Sequence, residues 1–289
     1  MSKTKILGFS GKKQSGKTSS TNFLFGLEMI SIGMISQMRI DKKGRLCVPI
    51  IKEDGSHGEG CIDPVDPRPE ARDYYAQTIW PFLKVYQLAD PLKWICMNVL
   101  GLTFEQCNGS NADKDSKTNI KWENLPGIIS NELVYDSVEE AFYEAKPSPE
   151  ALINCEIGKY HKSGFMTARE VMQYVGTDIF RRMYNDCWID ATIRIINQEA
   201  PELAIVSDVR FPNEVEGIQK AGGKVIRFTR NPCSDGDQHP SEIALDDKPE
   251  DYFDAVIHNN EMSIPQQNEA VHNTLVEWDF LNLSVEVPL

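Results

Sequence analysis

Near the amino terminus, Gly11-Lys12-Lys13-Gln14-Ser15-Gly16-Lys17-Thr18 places glycines, a lysine and a hydroxyl at the spacing G-x-x-x-x-G-K-[ST]. The chemistry this spacing permits is phosphate binding. Glycines let a loop turn its backbone N–H groups onto phosphate oxygens, and the amino end of a following helix adds partial positive charge. Lys17, read as an exposed loop lysine, then reaches the β- and γ-phosphates and Thr18 ligates Mg²⁺, while Gly11, Ser15, Gly16 and Ser19 complete the cradle. The plainer alternative is a glycine-rich surface turn. Against it, the motif lies between the apolar run Ile6-Leu7-Gly8-Phe9 and a stretch with Phe23, Leu24, Leu27 and Ile30 at helical spacing.

Asp208 follows the apolar run Leu203-Ala204-Ile205-Val206. Its carboxylate is therefore expected just past the carboxyl end of a central strand, near the glycine loop, where it suits Mg²⁺ or the ion's waters. Its plainer role is a cap or turn, because Pro212 and a helix follow. Arg210 lies two residues on in an extended segment, faces the same way and can meet a phosphate. Arg169, Arg181 and Arg182 lie on or beside a helix opened by Thr167 and interrupted at Gly176-Thr177-Asp178; they are either a solvated face or the site's supply of cations. Trp188, taken alone, reads as a core residue.

For these side chains to act together, strands and helices must alternate. The runs 6–9, 85–89, 203–206, 224–229 and 255–257 read as strands. Asp90 as N-cap, Pro91 in the first turn and Gly101 past the end bracket a helix over 91–100. Thr167-Ala168-Arg169-Glu170 is a capping box continued by Val171, Tyr174 and Val175. Further helices are expected over 187–198 and over 212–221, the latter stopped by Gly222-Gly223. This alternation predicts a three-layer α/β/α fold with a central, mainly parallel sheet. Two stretches read as insertions. The first, about 31–84, holds a hairpin over Met38–Ile51 turning at Asp41-Lys42-Lys43-Gly44, then a turn-rich segment from Glu53 to Gly60. The second, about 103–165, is polar, broken by glycines and prolines, and shows helical spacing only at 137–144; it reads as a lid or acceptor-binding region.

A chain of 289 residues with 41% hydrophobic and 25% charged residues is long enough for one large domain and excludes fibrous or wholly disordered classes. Forty-three acidic against thirty basic residues leave a net charge of −13, which argues against direct nucleic-acid binding and requires any anionic ligand to be held locally. The seven cysteines lack a C-x-x-C pair and the five histidines lack H-E-x-x-H, so disulfide frameworks and zinc sites have no support. The apolar stretch after Lys5 is too short for a signal peptide and no run reaches a membrane span. The expectation is a cytoplasmic protein with reduced thiols.

Taken together the motifs resemble the bacteriophage deoxynucleoside monophosphate kinases, P-loop relatives of adenylate and guanylate kinases. The resemblance rests on Gly8 to Thr18, Ala89-Asp90-Pro91-Leu92-Lys93, Thr167-Ala168-Arg169-Glu170 with Gly176-Thr177-Asp178, Ser207-Asp208-Val209-Arg210-Phe211-Pro212-Asn213-Glu214, Gly222 to Arg227, and His239-Pro240-Ser241-Glu242 with Leu245-Asp246-Asp247. It implies a single P-loop NTPase-type kinase domain over 1–289, ATP as donor, Mg²⁺, and a deoxynucleoside monophosphate as acceptor, in host cytoplasm if the source is viral. By resemblance Arg169, Arg210 and Arg181 clamp the acceptor or the transferring group, and Gly176, Thr177, Trp188 and Glu214 line the deoxynucleotide pocket. The segment from Arg230 through His239 and Glu242 would form a loop over the donor side, or else a plain solvated polar loop. A homodimer is compatible with this plan.

The acceptor phosphate is already ionised, so catalysis reduces to positioning and charge neutralisation by Lys17, Asp208, Arg210 and Arg169. Two alternatives stay open. A kinase for a nucleoside or another hydroxyl acceptor would need a carboxylate base, for which Asp208 could serve; an ATP-binding regulatory protein would hydrolyse ATP only incidentally.

Overall fold

The computed structural model describes residues 3–52, 54–125, 164–230 and 243–281. It divides into two compact units, Met1–Pro91 with Tyr184–Leu289, and Leu92–Met183. The second unit is drawn wider than the polar stretch 103–165, because the helix before it and the helix after it share its core.

The first unit is built on five parallel strands in the order β10-β9-β1-β8-β5: β1 (Lys5–Ser10), β5 (Leu83–Tyr86), β8 (Leu203–Val209), β9 (Lys224–Phe228) and β10 (Ala255–Ile257). Alternate residues of each strand feed opposite faces. Leu7, Phe9, Leu83, Val85, Leu203, Ile205, Ile226 and Phe228 pack with Phe23, Leu24 and Leu27 of α1 (Lys17–Ser31). Ile6, Tyr86, Ala204, Val206 and Val225 pack on the other face. There they meet Ile189 and Ile196 of α7 (Cys187–Glu199) and Val215 and Ile218 of α8 (Pro212–Lys220). This is the expected α/β/α sandwich. The strand expected at 85–89 lies at 83–86, and the chain is already turning at Gln87, whose N–H donates to Asp90.

Several elements depart from the sequence reading. β8 does not stop at Ser207 but runs on to Val209, so Asp208 lies inside it. The turn-rich Glu53 to Gly60 is only half a turn, since β4 (His57–Ile62) joins β2 (Arg39–Ile40) and β3 (Leu46–Ile51) in a small antiparallel sheet. Gly58 and Gly60 mask that strand in the sequence. The stretch 31–84 is tied to the main core, because Leu46 and Val48, with Tyr75 of α2 (Pro69–Thr78) and Ile79, belong to its α1 side. A carboxy-terminal helix, α9 (Ile264–Glu277), also packs there through Val271 and Leu275. Its signal, Ser263-Ile264-Pro265-Gln266, forms the capping box it spells.

In the second unit, most of α3 (Asp90–Asn98) is followed by α4 (Phe104–Asn108), α5 (Asn111–Lys114) and the antiparallel pair β6 (Lys117–Lys121) and β7 (Phe165–Thr167). Regular structure thus extends into the stretch read as irregular; the expected helix at 137–144 lies outside the described residues. Cys96, Leu102, Cys107, Trp122, Met166, Val171 and Val175 close its core. Thr167 and Glu170 make the predicted capping box at the start of α6 (Ala168–Gln173). Gly176-Thr177-Asp178 does not interrupt the helix but widens it: Tyr174–Arg181 continues as a π-helix.

Candidate functional site

Between β1 and α1 the chain turns through the glycine loop. Gly16, the residue before α1, has φ +104°, and Gln14 also takes a left-handed conformation. The first-turn N–H groups of α1 have no intrahelical acceptor, and no side-chain cap from Gly16 takes them up. Lys17 is buried at 8% exposure, which corrects the reading of an exposed loop lysine. Its Nζ donates to the carbonyls of Gly11 at 2.5 Å and Lys12 at 2.7 Å, using two of its three donors. Burial first, then the guanidinium groups of Arg210 and Arg227, lower its pKa to about 7, with Asp208 opposing. The Oγ atoms of Ser15 and Ser19 are buried without a hydrogen-bond partner among the described residues. A cradle of helix-end N–H groups, a desolvated lysine and orphaned hydroxyls fits phosphate oxygens. Thr18 is exposed at the same helix end.

Asp208 reaches this place through a bulge. Gly8 pairs with Val206 but Ser10 pairs with Val209, so β8 carries one extra residue against β1 beside the loop. The Leu88 N–H donates to Asp208 Oδ1 at 3.0 Å. Burial raises the Asp208 carboxyl to about 6 against that hydrogen bond; the Glu214 and Asp90 carboxylates add to the rise and Arg210 opposes it. Oxygen donors with crowded negative charge suit a hard divalent cation. Among the described residues no group of three or more His, Cys, Asp or Glu is placed to hold a metal, so such an ion would take most of its ligands from phosphate and water.

Arg227 was not singled out by the sequence reading. It lies one residue before the end of β9, level with Ser10, and donates from Nη1 to Ser10 Oγ at 3.0 Å and from Nη2 to Asp246 Oδ1 at 3.2 Å, its guanidinium 5.6 Å from the Phe253 ring centre. Asp246 also pairs with Lys12 of the loop at 2.7 Å. The available signal was Arg227's position at the carboxyl end of a strand beside β1. The donor-side loop expected from Arg230 to Glu242 falls, past Arg230, outside the described residues.

Glu214, at 1% exposure, accepts from the N–H groups of Arg210 at 2.7 Å and Phe211 at 3.0 Å. Its carboxylate caps α8 and fixes the backbone that carries Arg210. Trp188 is buried on α7. Thus Lys17, Thr18, Asp208, Arg210 and Glu214 fall in the first unit, whereas Arg169, Gly176, Thr177 and Arg181 belong to the second. There Arg169 donates to Asp115 at 2.8 Å and Asn111 at 3.1 Å. Gly176 is buried in the π-helix, where a Cβ would press on Leu92; Thr177 is exposed and Arg181 half-buried.

No helix among the described residues is long and apolar enough to cross a membrane. The sequence model of the deoxynucleotide monophosphate kinase family matches residues 73–267, about two thirds of the chain. The match starts after the glycine loop, so the loop is a separate observation. A protein of Acanthamoeba polyphaga mimivirus whose name places it among deoxynucleotide monophosphate kinases is 32% identical over 106 residues, covering 32% of this chain and 54% of its own length. The deoxynucleoside-5′-monophosphate kinase of Escherichia phage T5 is 37% identical over 82 residues, covering 27% of this chain and 32% of its own length. The chain therefore spans about half of one relative and about a third of the other.

Proposed function

This chain belongs to the deoxynucleotide monophosphate kinase family, and on that premise we propose that it transfers the γ-phosphoryl group of ATP to a deoxynucleoside 5′-monophosphate, giving ADP and the diphosphate for viral DNA precursor synthesis. The observation that carries this reading is the gathering of Lys17, Arg210 and Arg227 with Asp208 at the glycine loop. Burial and the two guanidinium groups disfavour the Lys17 ammonium, and that penalty is recovered when phosphate oxygens enter beside it. Lys17 and the helix-end N–H groups hold the donor phosphates. Arg210 and Arg227 neutralise charge on the transferring group, and Thr18 with Asp208 would hold Mg²⁺. When bound, that ion neutralises charge between the donor phosphates. An ionised phosphate acceptor needs no general base.

The acceptor roles of Arg169, Arg181, Gly176, Thr177, Trp188 and Glu214 rest on the resemblance. In this reading both compact units serve one kinase domain in the host cytoplasm, acting on small molecules and not on nucleic acid; a homodimer belongs to the same proposal. The test is product analysis with Mg²⁺, ATP and dGMP, dTMP, dCMP or dAMP in turn. ADP and a deoxynucleoside diphosphate are expected, with Lys17→Ala lowering turnover by roughly a hundredfold or more. Phosphorylation of deoxynucleosides as fast as their monophosphates would instead make Asp208 a base for a hydroxyl acceptor. ADP and free phosphate alone would leave a hydrolase.

A further inference from the structure

Behind the glycine loop lies a buried cluster of amides. Asn259, fully buried after β10, donates from Nδ2 to the Ser15 carbonyl at 2.7 Å and to Gln267 Oε1 at 2.6 Å. Its Oδ1 accepts from the Arg230 N–H at 2.8 Å. Gln267, fully buried on α9, donates from Nε2 to the Gly16 carbonyl at 3.0 Å and to Ser20 Oγ at 2.8 Å. Ser20 Oγ in turn donates to Asn268 Oδ1 at 3.2 Å. Both donors and the acceptor of each of the first two amides are engaged, which makes the network rigid. A Cβ on Gly16 would overlap the Gln267 amide, so the loop and α9 are fitted to each other.

The peptide plane gives this clasp a direction. In a trans peptide the C=O of one residue and the N–H of the next point opposite ways. The Ser15 carbonyl is drawn onto Asn259, and the Gly16 carbonyl, which also accepts the Ser20 N–H at 3.1 Å, onto Gln267, so the N–H groups of Gly16 and Lys17 turn away from the clasp. We propose that Asn259 and Gln267 are positioning residues of the phosphoryl-donor site, acting through two loop carbonyls to aim two backbone donors at the triphosphate. The role rests on the kinase reading for its substrate, but the aimed donors recognise a polyphosphate whatever the acceptor.

The test measures affinity for ATP and for inorganic tripolyphosphate by calorimetry, KM for ATP and for the monophosphate, and a thermal melt. Gln267→Glu keeps the shape and replaces the donor with an acceptor; Gln267→Met removes the amide at similar volume, in case the first variant does not fold. Each is expected to weaken ATP and tripolyphosphate binding roughly tenfold or more and to raise KM for ATP, with KM for the monophosphate within about twofold. Asn268→Ala, one bond further from the loop, should lower the melting temperature yet leave both affinities within about twofold. Folded Gln267 variants with wild-type tripolyphosphate affinity overturn the proposal, as does an equal loss in Asn268→Ala, which would mark mere loosening of the helix. If the wild type binds tripolyphosphate but phosphorylates no monophosphate, the kinase reading fails and the clasp is still tested.

Discussion

Lys17 and Asp208 are displaced toward each other on the pH scale, the ammonium falling to about 7 and the carboxyl rising to about 6. For Lys17 the sign of the consequence is fixed. At pH 8, above its lowered pKa, the free site disfavours the charged form; phosphate oxygens beside it favour that form, so donor binding takes up protons. Calorimetry of ATP binding at pH 8, in buffers of different ionisation enthalpy, reads that uptake directly, and its persistence in Lys17→Met would remove Lys17 from the donor site. Lys17, Thr18 and Asp208 were legible because their neighbours in sequence declare them, a glycine spacing in one case and a buried apolar run in the other. Arg227, Asn259 and Gln267 were not. Each is an ordinary residue in its own segment, and it gains a role only from pairing across the sheet or packing behind the loop.

Elements whose signals are local were read best: the capping box at Thr167, the Asp41-to-Gly44 turn and the apolar strand at Leu203. The bulge in β8 carries no such signal, since it exists only relative to its partner β1. The same holds for the cysteines, which look scattered along the chain yet meet in the small sheet. Cys47 stands opposite Cys61 across β3 and β4, with the sulfurs 3.5 Å apart. The Lys52 N–H closes the hairpin onto the Ser56 carbonyl, and counting alternate pairs from there puts Cys47 and Cys61 at a non-hydrogen-bonded position, where side chains lie closest. Burial first, then the neighbouring Cys61, pushes the Cys47 thiol up to about 11, which leaves exposed Cys61 as the thiol that reacts first. Mild oxidation with glutathione disulfide is therefore expected to end in a Cys47–Cys61 bridge, seen by peptide mapping and blocked by Cys47→Ser. Recovery of Cys61 only as a stable glutathione adduct would show that the pair cannot close.

At the scale of the whole molecule, the alternation of strands and helices was enough to give a parallel sheet with helices on both faces, because doubly buried strands announce themselves as unbroken apolar runs. What it could not give was the extent of the second compact unit, since among its short polar elements α4 and β6 bury one residue each and α5 none. Nor could it place α9, whose apolar stripe is thin. The sheet order sets β1 between β8 and β9, so the first strand made waits for partners that lie beyond most of the remaining sequence. Contacts of such span make folding slow. In chain order the glycine motif is complete at Thr18, but the strands beside it come after Glu202 and the amides behind it only at Asn259 and Gln267. A chain released after His258 thus carries every residue of the phosphate motif and all five strands of the parallel sheet, yet is expected not to be retained on immobilised ATP, whereas the full chain is. Retention of the shorter chain would mean that the loop shapes itself. Otherwise the loop, complete in sequence by Thr18, takes its binding shape only when α9 docks behind it.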